Sequence, residues 1–415
     1  MAEKITKPQI RFSGFDDEWE QRKLGEVGFT YTGLAGKTKE DFGHGSGRFV
    51  TYMNVFTNPV SDAAAVEPIE IDHTQNEVRF GDVFFTTSSE TPEEVGMSSI
   101  WLENSENTYL NSFCFGFRPT ERFDPYYLAY MLRSEDVRKK ITFLAQGISR
   151  YNISKSKMMD IEIPVPKEGE QRLLGAFFRH LDHLIAHHQS KYDKLINIKK
   201  SMLEKMFPKD GEVVPEIRFR EFSEDWEQRK LEEMSYSFEY GLNAAATTYD
   251  GENRYIRITD IDDKTRLFST MDLTSPDIDL KSADNYRLRE SDIVFARTGA
   301  SVGKTYIYKS FDGIMYYAGF LIRARIRPEY SADFVFQNTL TEQYRNFVAI
   351  ISQRSGQPGI NAQEYSTFEF FVPGYKEQEQ IGAFFRHLDR LITLHQRKLE
   401  KLKNLKKAYL EKMFV

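Results

Sequence analysis

The feature that most limits what this chain can fold into is a repetition: short blocks of sequence recur 207 positions later, in the same order. IRF at residues 10–12 returns at 217–219, WEQRKL at 19–24 returns at 226–231, GAFFRHLD at 175–182 returns at 382–389, and LEKMF at 203–207 returns at 410–414. Between these blocks lie two stretches of equal length, roughly residues 28–165 and 235–372, that share almost no sequence. One frame has been duplicated and its contents exchanged. A chain of that kind presents two different readers at two equivalent places, which speaks of recognition before catalysis.

With 415 residues, 40% hydrophobic and 14% aromatic, there is material for several cores, and length alone suggests two to four domains. The single cysteine, Cys114, excludes a disulfide framework and fits a reducing cytosol. No apolar run approaches the roughly 18–20 residues needed to cross a bilayer, and the amino-terminal MAEKITKPQIRFSG lacks the hydrophobic region of a secretory signal. The expectation is a soluble cytoplasmic protein with no membrane partner.

A net charge of −6 and a pI near 5.9 argue at first against nucleic acid, because neutralising phosphates needs clustered Lys and Arg. Steering depends on where charge lies rather than on its sum, so an acidic DNA binder has to concentrate its cations on one surface. Arg287, Arg289, Arg297, Lys304, Arg323, Arg325, Arg327 and Arg354 in the second variable block supply material for one. An ordinary mixed-charge surface is the competing explanation.

Residues 170–207 and 377–414 have the spacing of long helices. Leu174, Phe177, Leu181, Leu184, His188, Tyr192, Leu195, Ile198 and Met202 fall at steps of three and four, and Ile381, Phe384, Leu388, Leu391, His395, Leu399, Leu402, Leu405 and Tyr409 repeat the stripe. Glu168, Glu170, Glu377 and Glu379 sit near the starts; Lys199, Lys200, Lys205, Lys406, Lys407 and Lys412 sit near the ends, as the helix dipole favours. Pro208 stops the first helix. A helix of about 38 residues extends roughly 57 Å, and one with a single stripe wants a partner. The nearest candidate is its own copy, packed antiparallel as a coiled coil so that a pseudo-two-fold sets the variable blocks at opposite ends. Packing of each stripe against its own variable block is the alternative.

The variable blocks mix short β-type runs with turn clusters: DVFFT at 82–86, YIRI at 255–258, DIVFA at 292–296 and residues 320–326. Helices are expected at residues 125–145 and 333–351. IEIPVP at 161–166 and FEFFVP at 368–373 read as extended runs before the long helices, and residues 208–215 as the linker between repeats. Each block is therefore expected to be a compact α+β domain with a loop-rich surface.

GASVGKT at 299–305 tempts a phosphate-binding reading, but a P-loop needs four residues between its first glycine and the Gly-Lys-Thr, followed by a helix. Three intervene here, and residues 306–308 read as strand, so a tight loop between strands is the better fit. His180, His183, His187 and His188 crowd one helix without HExxH or any His–Cys grouping, and His183 and His187 become Arg390 and Leu394 in the second copy. A structural interhelical role suits them better than a metal. Cys114, in NSFCFGF, looks like buried strand rather than a nucleophile, and no residue is nominated as catalytic. What remains are the loops GISRYNISK at 147–155 and SGQPGINAQ at 355–363, at corresponding places before the exit strands. Their residue types hydrogen-bond to base edges and phosphates, although a plain helix-to-strand turn uses the same types. The candidate DNA contacts are Arg48, Ser149, Arg150, Asn152 and Lys155 in the first block, with Arg297, Thr298, Ser301, Lys304, Arg354, Gln357 and Asn361 in the second.

PQIRFSGFDDEWEQRKLGEV and PEIRFREFSEDWEQRKLEEM, GDVFF and SDIVFARTGASVGK, and EQRLLGAFFRHLDHLI with EQEQIGAFFRHLDRLI together make the whole chain resemble the specificity subunit of bacterial type I restriction-modification systems, and its shared blocks resemble the Gram-positive branch closely. The resemblance implies two α+β target-recognition domains separated by two long antiparallel helices, each domain reading one half of a split, asymmetric double-stranded DNA target. It also implies docking of two methyltransferase subunits on the helices, with restriction/translocase subunits in the full complex. S-adenosylmethionine, ATP and Mg are then expected only on those partners, and no cofactor on this chain, which has no NPPF-type motif. The expected boundaries are 1–165 for the first target-recognition domain with its N-terminal segment, 166–208 for the first helix, 209–234 for linker and repeated segment, 235–372 for the second domain and 373–415 for the second helix. A self-contained nucleoside-triphosphatase built on residues 299–305 and a coiled-coil adaptor for proteins alone are the other functional readings.

Overall fold

In the computed structural model, which describes residues 7–209, 211–353 and 356–415, the repeated blocks make repeated contacts. Residues 1–6, Asp210 in the linker and the candidate contact Arg354 lie outside the described residues. The chain divides into two units, Met1–His187 with Lys398–Val415, and His188–Arg397. This division cuts across the sequence repeat. Each long helix, Glu168–Lys205 and Tyr375–Lys412, begins in one unit and ends in the other, so each unit is completed by the LEKMF block of the opposite repeat.

The consequence shows in each core. In the first unit Trp19 is buried edge-on against Tyr127 at 6.4 Å and Phe414 at 6.5 Å, and Phe414 also meets Phe178 at 5.5 Å. In the second unit Trp226 packs on Phe334 at 5.7 Å and Phe207 at 6.4 Å, and Phe207 meets Phe385 at 5.8 Å. Beside these rings lies a buried carboxylate. Glu170 accepts from Arg11 Nε at 2.7 Å and Nη2 at 2.8 Å and from Trp19 Nε1 at 3.0 Å. Glu377 accepts the same two bonds from Arg218, at 2.7 and 2.8 Å, while Trp226 Nε1 has no hydrogen-bond partner among the described residues. The next residue fixes each helix start: Gln171 donates to Pro166 O and accepts from Asp124 N, and Gln378 donates to Pro373 O and accepts from Ser331 N. These acidic starts are therefore structural ties as well as dipole partners.

WEQRKL supplies a strand that its charge pattern hides. Glu20–Lys23 pairs antiparallel with Glu162–Val165, and Glu227–Lys230 with Glu369–Val372. Both ribbons have two strands, and their EQRK strands lie at the surface, where no apolar alternation is enforced.

The long helices run antiparallel to each other in each unit. Phe177 meets Tyr409 at 5.1 Å and Lys406 pairs with Asp182 in the first; Lys199 pairs with Asp389 at 2.6 Å and His188 Nδ1 lies 2.8 Å from His395 Nδ1 in the second. Burial pushes the Asp389 carboxyl up from the usual range while Lys199 pulls it down. The expected stripe needs one correction. Ile198 and Leu405 are exposed, and Lys199 and Lys406 take their place against the carboxylates, because a 3.6-residue period drifts off a fixed three-and-four spacing over many turns. Of the four crowded histidines, His188 meets the other helix, and His180, His183 and His187 are exposed.

The variable blocks share a four-stranded sheet and a parallel pair although their sequences differ. The first has a four-stranded antiparallel sheet in the order Gly28–Thr32, Cys114–Pro119, Val83–Thr86, Ser98–Ile100. The second repeats it with Ser235–Tyr240, Leu321–Ile326, Asp292–Ala296, Thr305–Ile307. A parallel pair accompanies each, Phe42–Val50 with Thr108–Leu110 and Arg254–Ile256 with Met315–Tyr317. The apolar run DVFFT is buried on both faces: Phe85 stacks on Phe115 at 5.4 Å in one cluster, while Phe84 meets Trp101 at 6.4 Å in another.

The helices expected at 125–145 and 333–351 are each broken in two, as Pro125–Met131 with Glu135–Leu144 and Ala332–Asn338 with Glu342–Ile351. Ser134 and Thr341 adopt extended N-cap conformations at the breaks. Arg133 pins the first corner by donating to the carbonyls of Ser98, Val55, Phe56 and Asn58. GASVGKT is the loop of a hairpin, with a 3-10 turn at Gly299–Ser301 and the strand Thr305–Ile307 where a P-loop requires a helix. Among the described residues no helix is long and apolar enough to cross a membrane.

Removing Glu170 takes the carboxylate from Arg11, which keeps its bond to Asp17 O, and leaves the Trp19 N–H without an acceptor, whereas removing Glu377 takes the carboxylate only from Arg218, which keeps its bond to Glu224 O. Glu170→Ala is therefore expected to destabilise the first unit more than Glu377→Ala destabilises the second, by about 1.5–3 kcal/mol for the extra charge-assisted bond, read from amide hydrogen exchange in each unit. Equal losses would count against the assignment. Phe414→Ala, next to the chain's last residue, is expected to cost about 3–5 kcal/mol and to speed exchange in Glu20–Lys23 of the first unit while sparing Glu227–Lys230.

Candidate nucleic-acid interface

Two loops of the second unit that stand 60 residues apart in sequence are joined by backbone bonds. Gly299 N donates to Pro358 O at 3.0 Å, Ile360 N donates to Arg297 O at 2.9 Å, and Thr298 lies opposite Gly359 in an antiparallel bridge. The junction depends on a glycine: Gly299 has φ +76°, and a Cβ there would lie 2.9 Å from Gln357 Nε2. Tyr365, one helix further on, seats the hairpin, accepting from Gly303 N at 3.0 Å and donating to Ala296 O at 2.6 Å. Burial raises its hydroxyl pKa, so it stays a neutral clamp.

Four nominated residues converge on this junction. The Arg297 guanidinium lies 4.8 Å over the Tyr240 ring, and the Tyr240 hydroxyl accepts from Ala362 N at 3.2 Å, so stacking holds the cation in place at the edge of the loop. Thr298 is half-buried, and Gln357 and Asn361 are exposed. Asn361 uses its side-chain oxygen to cap Ala362–Ser366, accepting from Glu364 N at 2.9 Å, which makes it a positioning residue for the loop. Ser301 is half-buried in the 3-10 turn.

Lys304 does not belong to that surface. Its ammonium is buried, donating to Ile261 O at 3.1 Å and pairing with Asp263 at 2.6 Å, because the strand alternation after Gly303 turns it beneath the sheet. Nor do the basic residues of this block gather on one face. Arg323 is buried against Glu239 and the Tyr317 ring, and Arg325 pairs with Asp292 at 3.0 Å. Sequence counts cations; the fold ties these three into ion pairs, with Lys304 and Arg323 themselves buried, leaving Arg287, Arg289 and Arg327 exposed together with the half-buried Arg297.

The first unit builds the equivalent junction from other chemistry. Ser88–Ser89 pairs with Tyr151–Asn152, and Ile153 N donates to Thr87 O at 3.1 Å. Gln146 and Asn152 exchange backbone bonds at 2.9 and 2.8 Å, and Gly147, φ +151°, closes the tip where a Cβ would lie 2.0 Å from Arg150 O. Ile148, Ser149 and Arg150 are exposed at this tip. The Asn152 amide bonds back to Arg150 O at 3.3 Å, and half-buried Lys155 opens the helix Lys155–Met159. Arg48 is exposed on another sheet, in Phe42–Val50.

Sequence inspection missed Glu90, Glu93 and Glu94, exposed in the loop that follows Ser88–Ser89, with Ser89 donating to Glu94 at 2.9 Å. Only the pairing of that segment with Tyr151–Asn152 brings them to the site. Carboxylates accept from cytosine N4, whereas Arg and Gln suit guanine and adenine edges. The two junctions thus share a backbone and differ in charge. Burial pushes the Cys114 thiol up to about 12, far from a reactive thiolate.

Comparison with known proteins agrees with this duplicated architecture. The model of the type I restriction modification DNA specificity domain matches residues 16–205 and again 223–404. The chain is 24% identical over 358 residues to the StySPI type I restriction enzyme specificity subunit of Salmonella potsdam, covering 80% of this chain and 74% of that protein. The crystal structure of the type I restriction-modification S subunit from M. genitalium superposes with a TM-score of 0.68 at 14% identity, covering 99% of both chains. A chain from a structural study of complex assembly and conformational transition of the type I R-M system aligns with a TM-score of 0.50 at 17% identity over 94% of this chain and 96% of its own length. With nearly its whole length matched, once in each repeat, the chain belongs to the type I restriction modification DNA specificity family.

Proposed function

We propose that this chain is the DNA-reading subunit of a type I restriction-modification complex and is not itself a catalyst. Each unit reads one half of a bipartite, asymmetric duplex target, and the two long helices set the spacer between halves. The observation that carries this is the pair of junctions: the same sheet frame occurs twice, with Arg297, Thr298 and Gln357 at one and Ser149, Arg150 and three glutamates at the other. Equivalent frames give pseudo-symmetric placement, and unlike loops give a non-palindromic sequence. Each good bidentate base contact contributes about 1–3 kcal/mol of discrimination, so neither junction suffices alone, and a linked pair multiplies selectivity.

Reaction chemistry then belongs to partners. Two methyltransferase subunits docking on the helices would carry S-adenosylmethionine, and restriction/translocase subunits would carry ATP and Mg. On this chain the Lys304 ammonium is buried against Ile261 O and paired with Asp263, which supports reading GASVGKT as a structural hairpin rather than a nucleotide site.

If the helices are a ruler, inserting about seven residues (two turns) into both lengthens it by roughly 10 Å, or about three base pairs at about 3.4 Å each. Mapping methylated adenines by single-molecule sequencing is expected to show both half-sites kept and the spacer lengthened. An unchanged spacer would contradict the ruler. Arg297→Ala is expected to relax one position in one half-site, at about 1–3 kcal/mol, whereas Lys304→Met should alter stability without relaxing any base preference in competition binding by the assembled complex.

A further inference from the structure

Phe113 and Phe320 occupy equivalent positions, 207 residues apart, inside blocks that otherwise share almost no sequence. Both rings are exposed, at 59% and 64%. Each sits third in a β-turn, closed by Cys114 N to Asn111 O at 3.3 Å and by Leu321 N to Ala318 O at 2.8 Å. NSFCFGF reads in sequence as buried strand, yet the strand begins at Cys114 and its first phenylalanine stands outside. Turn chemistry gives no reason for the ring, since tight turns favour Gly, Asn, Asp and Ser at such places.

Each turn is tied to its junction. Phe113 O accepts from Thr87 N at 3.0 Å and Thr87 Oγ1 at 2.7 Å, and Phe320 O accepts from Arg297 N at 3.0 Å. Thr87 and Arg297 in turn accept from Ile153 N and Ile360 N, so they are the same structural position in the two units. One exposed phenyl therefore stands one backbone bond from each polar junction.

We propose that Phe113 and Phe320 act as DNA wedges, each ring entering a groove beside its junction and unstacking one base step of its half-site. This rests on the chain being a two-site DNA reader. Two junctions with unlike chemistry have no cause to share a base-reading side chain, so a ring kept in both suits a contact indifferent to sequence. Stacking is such a contact, because every base has a π face, and single apolar side chains inserted at a base step kink the duplex. The turn neighbours are polar or small, Asn111, Ser112 and Thr87 in one unit and Gly319, Arg297 and Thr298 in the other, with Ile148 the exposed apolar side chain at the first tip. Nucleic-acid interfaces have that character, whereas the centre of a protein–protein interface gathers several apolar residues.

The test uses the full chain assembled with its modification subunits and a duplex carrying the target mapped in cells, with 2-aminopurine placed at each position in turn. The wild-type complex should show a several-fold fluorescence rise at one step in each half-site. Phe320→Ala should abolish the rise in one half only and weaken binding by about 10-fold or more; Phe113→Ala should do the same in the other half, and Phe320→Trp should retain both signals. Variants that unstack and bind like wild type overturn the wedge while leaving the two-site reader standing. Loss of the modification subunits from the variants without DNA overturns it too, by making the rings a protein contact. Failure of the wild-type complex to prefer its mapped target over a scrambled duplex removes the two-site reader itself, and the wedge with it.

Discussion

The fold hangs on an exchange of helix ends. Each core is closed by an aromatic residue that the opposite repeat delivers at the far end of a 38-residue helix, Phe414 beside Trp19 and Phe207 beside Trp226. Neither repeat can complete its own core from its own sequence. Helix length is thereby fixed by packing at both ends, since a missing turn would withdraw a phenylalanine from one core and a charged pair such as Lys199–Asp389 from its register.

Around that exchange the same scaffold is written twice with different contents. Helix starts, ribbons and the four-stranded sheets agree between units down to strand order, while the junction loops differ in charge. The buried residues can diverge because any apolar side chain of suitable volume fills a sheet face. The loops can diverge because their backbone is held by Gly299, Gly147 and the bridges across them rather than by side-chain identity. Scaffold and reading surface are separable, which lets one change without the other.

Much of this was legible in sequence, and what was not has physical causes. The long helices and their antiparallel pairing followed from period and repetition, and the hairpin at residues 299–305 from its short spacing. The strand in EQRK was hidden because a surface ribbon imposes no apolar alternation, and the breaks at Ser134 and Thr341 were hidden because caps and the Arg133 pin act through tertiary contacts. Site residues were the least legible. Arg297, Thr298, Gln357 and Asn361 do come together, but Lys304 is buried, Asn361 is a cap, and Glu90, Glu93 and Glu94 reach the first junction only through a strand pairing that no local pattern announces.

The central claim is that two equivalent frames carry two independent readers. Its most direct test is to exchange residues 235–372 for the variable block of another specificity subunit and map methylated adenines genome-wide in cells carrying the chimera with the modification subunits. The account predicts a bipartite motif in which one half-site is replaced while the other half-site and the spacer are kept. A motif altered in both halves, or methylation that follows no split motif, would contradict it.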